Sequence, residues 1–174
     1  MQTTVSKPII FEGIGLHKGL WSKLVVLPAK IDSGICFKRV DVKAGNKFIP
    51  AVLDNVVNSE LCTQIANSDG VSISTIEHLM AALTGCGINN VLLEIDGPEV
   101  PILDGSALAF VKAILKTGIK LQQQSLKAIR ILKTVEHKNG LAWAKFQPST
   151  SPKMSFSIEF SDAAIGTQSK TLDM

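Results

Sequence analysis

Residues 73–90 read ISTIEHLMAALTGCGINN, and this stretch decides the fold. Ser74-x-x-Glu77 has the capping-box pattern, in which two side chains satisfy the first free N–H groups of a helix. Ile76, Leu79, Met80 and Leu83 then recur at helical spacing. Gly85 and Gly87 supply the stop, because glycine takes the left-handed conformation that ends a helix.

Upstream of this helix the chain reads as short strands. Residues 8–16 (PIIFEGIGL), 23–27, 34–40 and 47–57 are rich in Ile, Val and Phe, and Gly, Pro, Asn and Asp punctuate them. Residues 61–66 and 71–74 add two shorter pieces. Downstream, residues 90–95 (NVLLEI) predict a strand, and 96–104 are dense in turn formers. A second helix is expected over about 106–117, with Phe110, Val111, Ile114 and Leu115 as its apolar stripe and Gly118 as its end. Residues 120–125 (KLQQQS) are polar and read as a linker. Three further strands are expected at 128–137, 141–147 and 154–160, the first two joined at Asn139-Gly140. Strands followed by helices predict an α+β two-layer sandwich over residues 1–122, an antiparallel sheet backed by two helices. Residues 126–174 read as the incomplete start of a second, similar domain. A three-strand meander without a covering helix exposes an apolar face, so the chain reads as truncated there or as needing a partner surface.

Composition narrows the function. The chain has 174 residues, 45% of them apolar and 19% charged, which excludes a disordered, highly charged tail. No apolar run approaches the ~20 residues of a transmembrane helix, and the first residues lack the pattern of a signal peptide. Cys36, Cys62 and Cys86 are odd in number and widely spaced, which fits a reducing, cytoplasmic compartment. A net charge of +3 is too small to imply nucleic acid. From Phe48 to Val111 there are eight carboxylates and no Lys or Arg. That stretch reads either as ordinary loop composition or as a region built around a divalent cation.

Few residues offer chemistry. His78 opens the helix away from its apolar stripe, where the helix dipole opposes a positive charge and a neutral imidazole suits a metal. Glu77 is either the second member of the capping box or a base beside a metal. Glu-His is not the His-Glu-x-x-His of metalloproteases. Cys62 is a small core hydrophobe or a soft side chain beside a metal. His17, in GIGLHKG, is a turn or surface residue, and Asp104-Gly105-Ser106 most simply caps the second helix.

GIGLHKG, ISTIEHLMAALTGCGINN and PEVPILDGSALAFV, in this order and spacing, resemble the N-terminal half of the UDP-3-O-acyl-N-acetylglucosamine deacetylases, the zinc enzymes of the committed step in bacterial lipid A synthesis. CFKRVD, SELCT, WAKF and FSIEF extend the resemblance from Ile9 to about Ile165. The resemblance implies two similar two-layer domains of the ribosomal protein S5 domain 2-like type, with the active site between them. It makes His78 a zinc ligand and Glu77 the general base. Leu61 and Cys62 would line the site, and Phe160 would pack on the glucosamine ring. It also implies two further zinc ligands, a His and an Asp, which have no counterpart here: His137 is the last histidine. A chain holding one of three ligands is expected to be inactive alone and to lack the C-terminal half of its own site. Ala142 stands where many members carry Lys, and Glu60 where an apolar residue is common. The competing reading is a non-catalytic α+β binding module. Dehydratase segments, expected of a bifunctional protein, are not visible.

Overall fold

The computed structural model describes residues 1–173, which form two compact units, divided between residues 126 and 127. In the first unit β1 (Gln2–Val5), β2 (Ile9–Ile14), β3 (Trp21–Pro28), β4 (Ile35–Arg39) and β5 (Phe48–Pro50) lead into a single 3-10 turn at Leu53–Asn55. Then come β6 (Val56–Val57), β7 (Gln64–Ala66), β8 (Ser72–Ser74), α1 (Glu77–Gly85), β9 (Val91–Ile95), α2 (Leu108–Thr117) and β10 (Ile119–Gln122). The main sheet has the order β2-β3-β9-β4-β5, and only β4 and β9 run parallel. A three-stranded sheet, β6-β7-β8, delivers the chain to α1.

Alternation along the strands buries one face. Leu24 and Val26 of β3, Phe37 of β4 and Val91, Leu93 and Ile95 of β9 point inward. Leu79, Ala82 and Leu83 of α1 and Phe110 and Ile114 of α2 cover them, with Phe110 edge-on to Phe11 at 4.8 Å. The fold is therefore the expected α+β class, with a mixed main sheet in place of the expected antiparallel one because β4 and β9 run parallel. Leu115 departs from its expected place in the stripe of α2: it is exposed. The end of α1 follows the glycine reading. Gly87 has φ +69°, its N–H donates to the Thr84 carbonyl, and Ile88 N–H donates to the Leu83 carbonyl. These two bonds are the Schellman arrangement.

Residues 120–125 are not simply a linker. Residues 119–122 form β10 and pair antiparallel with β1. Their polarity serves a hydrogen-bonded network: Asn90 donates to the side-chain oxygens of both Gln2 and Gln122, and Gln122 donates to the Ala29 carbonyl. Glutamines that zip strands together carry the same letters as glutamines in a solvated linker.

The second unit contains β11 (Val135–Asn139), β12 (Ala142–Phe146), β13 (Lys153–Glu159) and β14 (Thr167–Asp173). They form two separate hairpins, β11-β12 and β13-β14, in place of the expected three-strand meander. Residues 128–134 lie outside strands, and 167–173 supply a strand that the hydropathy pattern does not announce. The first hairpin turns at Gly140-Leu141, where Gly140 has φ +59°. None of residues 127–173 is buried.

Candidate functional site

The start of α1 departs from the capping-box reading. Ser74 is the last residue of β8, and its Oγ donates to the Pro98 carbonyl, not to the helix. Thr75 then takes the left-handed conformation at φ +56°, an uncommon state for a β-branched residue that costs of order 1–3 kcal/mol. Ile76 is the N-cap and offers no side-chain bond. The box fails because its serine is two residues too early: it is committed to a bridge with Glu99.

Thr63 replaces the missing cap from a distance. Its N–H donates to Glu77 Oε2 at 3.0 Å, and its carbonyl accepts the Ile76 N–H at 3.4 Å. The Glu77 carboxylate thus ties the helix start to the segment carrying Leu61 and Cys62. Leu61 is 91% exposed in a left-handed turn at φ +59°, so the strand expected from residue 61 begins only at Gln64. Ser59 Oγ donates to the Cys62 carbonyl at 2.5 Å and closes this turn. Cys62 and His78 are half-buried, and Glu60 is exposed.

On the other side stands a residue that sequence reasoning passed over as part of a turn. Glu99 is 1% exposed. Thr75 Oγ1 donates to its Oε1 at 2.6 Å, His17 N–H to the same oxygen at 2.9 Å, and Lys18 N–H to Oε2 at 2.8 Å. Burial pushes the carboxyl pKa up, but the bonds from Thr75, His17 and Lys18 outweigh it and hold the group below the usual carboxylate range. The His17 side chain is exposed, and the residue enters this cluster through its backbone. A signal was available: an acid among Gly, Pro and apolar residues in GPEVPIL is out of place unless donors meet it.

Asp104 lies apart. Its Oδ1 accepts the Ser106 N–H and Oγ–H, and Ser106 Oγ accepts the Leu108 N–H, so it caps α2 by relay. Those bonds from Ser106 hold its exposed carboxyl below the usual range. Phe160 belongs to the second unit, where it follows β13 half-exposed and donates its N–H to the Gly166 carbonyl.

The carboxylates of residues 48–111 do not gather around a cation. Glu94 pairs with Lys38 at 2.7 Å, and Asp96 and Asp69 accept the backbone N–H groups of Lys23 and Asn46. Among the described residues no group of three or more His, Cys, Asp or Glu has metal-binding geometry. His78 fits one corner of a zinc site by its chemistry, a half-buried imidazole beside an anchored carboxylate. It does not make a site by itself.

The sequence model of the UDP-3-O-acyl N-acetylglycosamine deacetylase family matches residues 2–174. The chain belongs to this deacetylase family. It is similar to the UDP-3-O-acyl-N-acetylglucosamine deacetylase of Phenylobacterium zucineum, 42% identical over 99% of this chain and 59% of that protein. The deacetylases of Vibrio vulnificus and Geobacter sp. are 41% and 45% identical, over 98% and 99% of this chain and 56% of each relative. The chain therefore spans between half and two thirds of the length of these deacetylases. Among the described residues no helix is long and apolar enough to cross a membrane.

Proposed function

We propose that these residues supply one half of a zinc-dependent deacetylase site in the cytoplasm. The substrate would be UDP-3-O-acyl-N-acetylglucosamine, the reaction hydrolysis of its acetamide to release acetate, and the pathway lipid A biosynthesis. The observation that supports this reading most directly is the anchoring of Glu77. Only Oε2 is bonded to Thr63, which leaves Oε1 for a proton from the attacking water. His78 would be one of three zinc ligands; the others would lie in the part of the relatives' length that this chain does not span. Zinc, when bound, acidifies a water and polarises the amide carbonyl. Leu61 and Cys62 would line the site from the Thr63 side, and Phe160 would pack on the sugar ring.

Glu77→Gln tests the role of the carboxylate. The amide oxygen of Gln still accepts the Thr63 N–H but takes no proton near neutral pH. In the deacetylase that carries these residues, kcat should fall by about a hundredfold or more with zinc content unchanged. The 174-residue chain, with His78 as its single ligand, should release no acetate even with added zinc. Acetate release at the parent's rate by Glu77→Gln, or turnover by the chain alone, would refute the reading.

A further inference from the structure

We infer that Glu99 is a positioning residue for this site: its buried carboxylate fixes the segment entering α1 and thereby the places of Glu77 and His78. The kinetic consequence rests on the deacetylase reading; the geometry does not. Glu99 gathers two separate segments, the His17-Lys18 bend and Thr75, onto its two oxygens. Its neighbours grip the same place: Ser74 N–H donates to the Pro98 carbonyl at 3.0 Å, and Val100 N–H to the Ser74 carbonyl at 3.2 Å. Ser22 Oγ holds the Glu99 carbonyl at 2.9 Å. The grip ends two residues before Glu77, at the left-handed Thr75. A β-branched residue stays in that conformation only when its surroundings over-determine it.

No cap within the helix's own sequence fixes the start of α1. It is held from outside, by Thr63 on one side and by Glu99 through Thr75 on the other. A carboxylate is required because three donors converge. Glutamine offers a single acceptor oxygen and would turn two N–H donors toward donors already there.

The test uses Glu99→Gln, Thr75→Val, Thr75→Gly and Thr75→Ser, made in the deacetylase that carries these residues and in the 174-residue chain. In the enzyme, Glu99→Gln and Thr75→Val should lower kcat about ten- to a hundredfold, with KM for the acyl-UDP-sugar within about twofold. Thr75→Ser, which keeps the hydroxyl, should retain most of kcat. In the chain, the Thr63 amide resonance should move in Glu99→Gln and Thr75→Val, although its hydrogen-bond partner is Glu77 and neither of the altered side chains. Thr75→Gly accepts a positive φ without strain, so it carries the test if Glu99→Gln fails to fold. Normal kcat in Thr75→Val and Thr75→Gly with an unmoved Thr63 amide would overturn the inference, as would a raised KM at unchanged kcat. If the unmutated enzyme releases no acetate, the deacetylase reading falls, and the Thr63 amide alone decides positioning.

Discussion

Gly15 and Glu99 share one small volume at the bend between β2 and β3. A Cβ on Gly15 would stand 2.4 Å from Glu99 Oε2, and Gly15 is itself buried. The chain passes over the carboxylate so closely that only hydrogen fits. Gly15→Ala should therefore cost about 1–3 kcal/mol in urea unfolding, the range of an overpacked interior. The same carboxylate shapes the response to acid. Its folded pKa lies below its unfolded value, so its stabilisation is complete above the unfolded pKa and is lost as pH falls through the folded one. Asp41 acts in the same direction, its carboxyl lowered chiefly by the hydrogen bond from Arg39 and opposed by burial. Stability should fall below the ordinary carboxylate range, and Glu99→Gln, though less stable at neutral pH, should show a flatter acid limb in thermal melts at stepped pH.

At the scale of elements, α1 shows what sequence patterns can and cannot tell. Its apolar spacing and its glycine stop are local properties, and both were legible in residues 76–87. Its beginning depends on Thr63 and Glu99, 14 and 24 residues from Glu77 and Thr75, so no window of sequence around the helix contains it. The candidate pair Glu77 and His78 was legible through a family resemblance, whereas the residues that hold it were not. Ser74 is the discriminating position. Ser74→Ala should cost about 0.5–1.5 kcal/mol, one partly buried hydrogen bond to Pro98, and leave the first turn of α1 as protected as before. Hydrogen exchange of the α1 amides checks this, since a true cap would let that turn fray. The polar strand β10 was missed for a related reason: its partners Gln2 and Asn90 are remote in sequence.

The two units differ as whole bodies. The first encloses a mostly aliphatic core with Phe11, Phe37 and Phe110 inside it, whereas the second presents Trp143, Phe146, Phe156 and Leu141 to solvent. Two-stranded hairpins without a covered face are marginal in water. Amides of β11 to β14 should therefore exchange much faster than those of β3 and β9, whose side chains carry the core; comparable protection in both units would contradict this. One pairing in the first unit also sets an order of events. The parallel register of β4 on β9 joins Ile35 to Val91 and Arg39 to Ile95 across about fifty intervening residues. Leu61, Cys62, Thr63, Thr75, Glu77 and His78 all lie inside the loop that this pairing closes. A nascent chain that has emerged through α1 holds every one of them, yet has no central strand to arrange them around. Their geometry should become fixed only once residues 91–100 are present, bringing β9 and Glu99 together.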